Sequence, residues 1–195
     1  MQGSMRAGWL VALMLALPGA ASAMTISDPV KGGEYTLNLT PLDSNTYVAT
    51  FTIDLSTVPL QIAATSMTQI DFKVADSYSQ VSVLQAPDST DNWLPTAGPL
   101  NGTGCGGVND GFVCLSATNP LAIGSTTLFT WQVQFDADSL LPESDWHIGA
   151  RYTSPTHPKG WVVSLSPAPI PEPASGLLFG VGMLIVGVAA RRRSA

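Results

Sequence analysis

Hydrophobic and polar residues alternate along much of the chain between residues 24 and 166, a period typical of β-strands with one buried face. The clearest segment is 129–135, where large apolar residues occupy every second position and Thr130, Gln132 and Gln134 lie between them. The alternation predicts about eight strands. They lie at residues 35–40, 47–55, 70–74, 78–85, 112–115, 129–135, 148–152 and 161–165.

Short strands separated by clusters of Gly, Pro, Asn and Asp predict an all-β fold, an antiparallel β-sandwich. Since each strand has one polar face, two sheets are expected to share a core and to keep their outer faces in water. The domain is assigned to residues 24–166, and its longest irregular region is predicted at 86–111.

Residues 1–23 have the features of a secretory signal peptide. Arg6 supplies a positive charge, residues 9–17 form an apolar run, and the small residues Ala21 and Ala23 match the specificity of signal peptidase. A membrane span needs about 20 apolar residues, so this run is too short to be one. We therefore expect export through the Sec translocon and cleavage after Ala23.

Residues 174–190 carry no charge and are followed by Arg191, Arg192 and Arg193. As a helix this segment would be roughly 25 Å long, slightly less than the hydrocarbon core of a bilayer, and arginines that extend to the interface compensate for the difference. The pattern predicts a transmembrane helix at 174–190, and the positive-inside rule places the basic tail, 191–195, in the cytoplasm.

A proline-rich linker, residues 167–173, precedes the predicted helix. Alternating prolines favour an extended polyproline II conformation, which holds a domain away from the membrane and presents an extended strip to a protease. The linker ends in Pro171, Glu172 and Pro173. This tripeptide, the apolar helix and the arginine cluster, in that order, resemble the PEP-CTERM protein-sorting signal.

The resemblance implies recognition by an exosortase, a membrane-embedded cysteine protease-transpeptidase of Gram-negative bacteria. The chain would be anchored transiently by its C-terminal helix, cut near residues 171–173, and released or transferred to the cell surface. Such proteins are associated with bacteria that produce exopolysaccharide and form biofilms. Many of them have cohesin-like sandwiches, and the body of this chain is similar to those.

Cys105 and Cys114 are the only cysteines, and they lie in or beside a glycine-rich segment. An exported protein folds in an oxidising compartment, where two such cysteines form a disulfide bond. A redox pair would favour Cys-x-x-Cys spacing, and a metal site would need further ligands nearby. We therefore expect a structural disulfide and no bound metal or cofactor.

Candidate catalytic residues are few. His147, on the polar side of a predicted strand, and His157, in a predicted turn, are the only histidines, and neither belongs to a known catalytic motif. The loosely clustered carboxylates do not match the spacing of a calcium-binding loop, so they are assigned to solvated turns. If the domain is instead a polysaccharide hydrolase, Asp136 and Glu143 are the candidate acid and base.

Trp93 is the best candidate for a sugar-stacking contact, because it lies in the long irregular region between Asn92 and Leu94. The other tryptophans of the predicted domain are better explained by packing, as at positions 131 and 161 on apolar strand faces. For Trp93 too, packing in the core or the loop is the preferred explanation, since large aromatic side chains are usually well buried.

Charge narrows the range of partners. The whole chain has 195 residues with 8 basic and 14 acidic side chains, and only 11% of its residues are charged. All 14 acidic residues but only 4 basic ones lie within 24–173, so that part has a net charge of 4 − 14 = −10. This excludes a basic nucleic-acid binder and disfavours anionic polymers. We therefore expect a non-catalytic surface or matrix protein, with extracellular polysaccharide as a candidate partner, or alternatively a carbohydrate-binding module or hydrolase.

Overall fold

The computed structural model describes residues 21–107 and 111–167. Within them the fold is all-β and its sheets are antiparallel, as predicted. Twelve strands are present. In chain order they are β1 (Ser22–Ser27), β2 (Glu34–Pro41), β3 (Thr46–Asp54), β4 (Ser66–Lys73), β5 (Ser79–Gln85), β6 (Trp93–Ala97), β7 (Leu100–Asn101), β8 (Gly104–Cys105), β9 (Phe112–Ala122), β10 (Leu128–Asp136), β11 (His147–Ser154) and β12 (His157–Leu165).

The strands form two five-stranded sheets and one small hairpin. Sheet A has the order β1-β2-β3-β10-β5, sheet B has the order β12-β11-β4-β9-β6, and β7 pairs with β8. Each of the eight predicted segments coincides with a strand of sheet A or sheet B. The alternation of the sequence therefore identified the central strands of both sheets.

The two sheets face each other across one hydrophobic core, which is the arrangement of a β-sandwich. The rings of Trp93 on sheet B and Trp131 on sheet A meet edge to face, 5.0 Å apart. The hydroxyls of Tyr35 on sheet A and Tyr152 on sheet B are hydrogen-bonded at 2.8 Å within the core. Burial of each apolar core side chain such as Phe51 stabilises the fold by roughly 1.5–3 kcal/mol.

The region predicted to be irregular, 86–111, contains more structure than expected. A 3₁₀ turn, Thr90–Asn92, leads into β6, and the β7–β8 hairpin follows. Strand β6 exists because it pairs with β9, whose partner residues lie about twenty positions later in the chain. Pro95 is tolerated there because β6 is the edge strand of sheet B.

The two sheets differ in regularity. In sheet A, β1, β2, β3 and β10 pair without any shift of register. In sheet B, the pairs β11–β12, β11–β4 and β4–β9 each contain an irregularity. The β10–β5 pair of sheet A also contains shifts of register. The evenly spaced part of the outer face of sheet A is therefore that of β1, β2, β3 and β10, whereas the outer face of sheet B is less regular and is partly covered by the β7–β8 hairpin.

Candidate functional site

The disulfide bond predicted between Cys105 and Cys114 is present. It joins β8, in the short hairpin, to β9, an inner strand of sheet B. The hydroxyl of Ser116 on β9 also lies 3.2 Å from the sulfur of Cys105. The disulfide therefore fastens the β7–β8 hairpin to the outer face of sheet B.

Asp71 lies beneath this hairpin. Its position on β4 points away from the core, yet the residue is 0% exposed. Its Oδ2 accepts a hydrogen bond of 2.9 Å from the backbone N–H of Leu100 on β7. Among the residues that the structure describes, its Oδ1 has no hydrogen-bond partner. Burial raises the pKa of Asp71 to about 6, although the bond from Leu100 acts in the opposite direction.

Gly149 on the neighbouring strand β11 leaves the space that this carboxylate occupies. A Cβ atom at residue 149 would lie 2.3 Å from Oδ1 of Asp71, closer than any real contact. A side chain at this position would therefore displace the carboxylate, so glycine is required by close approach and not by an unusual backbone angle.

His147 stands beside the buried carboxylate. Its Nε2 lies 4.0 Å from Oδ1 of Asp71 and 3.5 Å from the hydroxyl of Ser164, and its Nδ1 lies 3.3 Å from the hydroxyl of Ser166. The ring also meets Phe112 edge to face at 5.2 Å. Burial, and then the positive charge of Lys73, lower the pKa of His147 below its usual value.

The cluster of Asp71, His147, Ser164 and Ser166 combines the residue types of a hydrolase triad, but its geometry differs from one. A triad carboxylate accepts a hydrogen bond from the imidazole and so orients it towards the nucleophile. Here the separation of 4.0 Å between Asp71 and His147 is too long for that bond. The arrangement therefore places an imidazole beside a buried carboxyl group without a hydrogen bond between them.

The other histidine takes no part in this cluster. His157 begins β12, and its ring lies 4.7 Å from that of Trp161. Within the described residues, no group of three or more His, Cys, Asp or Glu side chains is suited to hold a metal ion.

Asp136 and Glu143, the candidate acid and base of a hydrolase, do not share a pocket. Asp136 lines a polar pocket of about 210 Å³ together with Asn45, Tyr78 and Asp138. Glu143 begins a separate 3₁₀ turn, Glu143–Asp145, and does not line that pocket. The structure therefore gives no geometric support to this pair.

Trp93, the candidate for contact with a glycan, is not exposed, so this candidate site is wrong. Trp93 is only 1% exposed, because its position on β6 faces the core, where it meets Trp131. Its indole N–H donates a hydrogen bond of 2.8 Å to Asp88. A sugar ring has no access to this side chain, so the structure supports core packing of Trp93, the preferred explanation, and not contact with a glycan.

The predicted processing sites lie mostly outside the described residues. This is true of residues 1–20 of the signal peptide, of the motif Pro171, Glu172 and Pro173, of the span 174–190 and of the arginine cluster. At the N-terminal boundary, Ala21 precedes β1, and the exposed Ala23 pairs with Asn38 on β2. Across 21–107 and 111–167, no helix has the length and apolar character needed to cross a membrane.

The comparison with known proteins concerns the C-terminal segment. Residues 169–193 match the family model described as the PEP-CTERM protein-sorting motif. The matched range includes the Pro-Glu-Pro tripeptide and the three arginines. The motif implies a secreted protein that is targeted to an exosortase, with export and a C-terminal anchor. No curated protein matches the chain.

Proposed function

We propose that this chain is exported through the Sec translocon, processed by an exosortase, and delivered to the cell surface or the extracellular matrix as a non-catalytic β-sandwich. One observation carries the proposal: the sorting motif begins at residue 169, four positions after the last strand ends at Leu165. The folded domain and the processing signal are therefore adjacent but do not overlap.

The geometry at this junction suits cleavage. Strand β12 is the edge strand of sheet B on the side opposite β6, and Leu165 makes its last pairing, with Ile148 on β11. The chain beyond Pro167 is rich in proline, which disfavours further pairing and favours an extended conformation. Cleavage at residues 171–173 would therefore leave the pairing of both sheets intact.

The disulfide and the surface charge support export and an extracellular role. Cys105 and Cys114 are bonded, as expected for an oxidising compartment outside the cytoplasm. The net charge of −10 between residues 24 and 173 favours solubility among anionic surface polymers. A structural or adhesive role in an exopolysaccharide or biofilm setting fits a domain of this kind.

Processing can be tested by mass spectrometry of the extracellular form produced in an exosortase-bearing host. We expect a mature C-terminus near Pro171–Pro173, without residues 174–195, because the motif directs cleavage there. The change Glu172→Ala should leave the uncleaved chain in the membrane fraction. The matched control Ala168→Ser, one position before the matched motif, should be processed normally. An extracellular form that retains Arg191, Arg192 and Arg193 would contradict the proposal.

A further inference from the structure

The outer face of sheet A carries a row of four threonines. Thr25 on β1 is opposite Thr36 on β2, Thr36 is opposite Thr52 on β3, and Thr52 is opposite Thr130 on β10. The hydroxyls of Thr25 and Thr36 are 3.0 Å apart, and those of Thr52 and Thr130 are 3.4 Å apart. The row therefore crosses four strands as two hydrogen-bonded pairs.

A second row runs parallel to the first, two residues away along β2, β3 and β10. The corresponding position on β1 is Ala23, opposite Asn38, which has no hydrogen-bonding side chain on its own strand to pair with because alanine carries only a methyl group, so Ala23 is not part of the row. Asn38 on β2 is opposite Thr50 on β3, which is opposite Gln132 on β10. We call the two rows together the threonine face. Every side chain in it is an uncharged hydrogen-bonding group, and the strands that carry it are in register without a bulge.

Charges lie around the threonine face but not within it. Glu34 and Asp54 are opposite each other in the next row, and Asp136 ends β10 on the other side. The exported part as a whole carries −10. An anionic polymer approaching this face would meet these carboxylates, whereas a neutral polymer would not be repelled.

We propose that the threonine face binds a neutral, hydroxyl-rich polysaccharide that lies flat across β1, β2, β3 and β10. This proposal names a partner for the exported domain proposed above. It rests on the proposed export only for the place where the domain and the polysaccharide would meet. Binding itself is a property of the face, so it can be measured whether or not the chain is processed.

The chemistry of the face matches such a polymer. Each threonine hydroxyl and each amide can both donate and accept hydrogen bonds, as sugar hydroxyls do. The threonine methyl groups offer apolar contact to the C–H surfaces of sugar rings. Neighbouring strands are about 4.8 Å apart, and outward residues along one strand are about 6.8 Å apart, so the groups form a regular lattice.

The rigidity and shape of the face favour a polymer over a single sugar. Threonine is restricted about χ1, and its place in a paired strand fixes its backbone, so little conformational entropy is lost on binding. An open sheet face makes only shallow contact with each sugar unit. Affinity must then come from many units bound together, which a polysaccharide chain supplies.

The test is affinity electrophoresis of the full chain, purified in a polyoxyethylene detergent that carries no sugar. The gels contain hydroxyethyl cellulose as the neutral polymer, alginate as the anionic polymer, or neither. We expect hydroxyethyl cellulose to retard the chain and alginate not to do so. Thr52→Asp, which adds a charge at the centre of the face, should weaken binding at least about tenfold.

Two further variants keep the test decisive. Thr52→Val preserves the shape and β-propensity of the side chain but removes the hydroxyl, and should weaken binding by about threefold to tenfold. Thr96→Asp adds the same charge at an exposed position of β6 in sheet B, and should change binding less than about twofold. If Thr52→Asp lowers the melting temperature of the protein, its loss of binding could come from unfolding. The role of the face is then judged from Thr52→Val against the wild type.

Three results would overturn the proposal. The first is no retardation by hydroxyethyl cellulose, and the second is equal retardation by alginate. The third is a loss in Thr96→Asp as large as that in Thr52→Asp. Concentration-dependent retardation without any polymer would instead indicate pairing with a second copy of the chain, and would also reject the polysaccharide. None of these outcomes bears on where the C-terminus is cut.

Discussion

Replacing both Cys105 and Cys114 by alanine should lower the free energy of unfolding by about 2.7 kcal/mol. The disulfide closes a loop of ten residues, 105–114, and the chain-entropy model assigns about that value to a loop of this length. The cross-link acts mainly on the unfolded chain, whose freedom it restricts. The native chain loses in addition the tie between the β7–β8 hairpin and sheet B.

Urea unfolding of the oxidised chain, the reduced chain and the double alanine variant measures this effect. The reduced chain and the variant should both unfold at a lower urea concentration than the oxidised chain. The variant serves as the control for reductant, because adding reductant to it should change nothing. An oxidised chain whose midpoint is insensitive to reductant, or a native chain that titrates two thiols, would disprove the structural role of the bond.

The sequence predicted the central strands well because their signal is local. In β10, Phe129 and Trp131 enter the core while Thr130 faces water, and a two-residue period records this in the sequence itself. Strand β6 has no comparable signal, since Pro95 and the exposed Leu94 interrupt it. Its strand structure comes from pairing with β9, a long-range contact that local patterns do not contain.

Strand β1 escaped prediction for a different reason. Its first residues, Ser22 and Ala23, belong to the segment assigned to the signal peptide, yet they pair with Leu39 and Asn38. Cleavage after Ala23 would still leave Met24–Ser27 to form the edge of sheet A. The pattern of a signal peptide and the pattern of a strand thus overlap at residues 22 and 23. Because the signal-peptide pattern is the stronger one, the strand was not predicted.

The candidate site was predictable only in part. The disulfide followed from the number of cysteines and the expected compartment, so it needed no geometry. Asp71 was not predicted, because it alternates with Ile70 and Phe72 just as a solvated residue would. Its burial depends on a hairpin about thirty residues later in the chain. Its place opposite Cys114, the residue that fastens this hairpin, is a matter of strand register and became visible only in the structure.

Asp71→Asn should raise the free energy of unfolding at pH 7 by about 3 kcal/mol, although it removes a side chain that accepts a native hydrogen bond. In the wild type, burial raises the pKa of Asp71 from 3.8 to about 6, and each pKa unit corresponds to about 1.4 kcal/mol. The asparagine carbonyl can still accept the hydrogen bond from Leu100. Its amide nitrogen takes the place of Oδ1, which has no hydrogen-bond partner among the described residues and lies 4.0 Å from Nε2 of His147. Donation to that ring therefore requires the two side chains to move closer together.

The sign of the pH dependence follows from proton binding. Between about pH 4 and pH 6 the folded wild type retains a proton on Asp71 that the unfolded chain releases, so wild-type stability falls as pH rises through this range. Asparagine has no such proton. The advantage of the variant is therefore close to zero below about pH 4 and complete above about pH 6. The pKa of His147 is lowered in the folded protein, so this residue makes stability rise with pH, the opposite of the effect of Asp71. The effect of His147 is present in both the wild type and the variant.

Urea unfolding of the wild type and Asp71→Asn at several values between pH 3.5 and pH 7.5 measures this difference. The matched control is Asp76→Asn, whose carboxylate is 80% exposed and lies 3.9 Å from the ammonium of Lys73. It should change stability by less than about 1 kcal/mol, as is usual for an exposed ion pair. Adding Asp71→Asn to the double alanine variant should yield a smaller gain, because a loosened hairpin admits water to the carboxylate and lowers its pKa. A variant at Asp71 that is less stable than the wild type at pH 7 would show that the buried carboxylate has a partner that stabilises its charge.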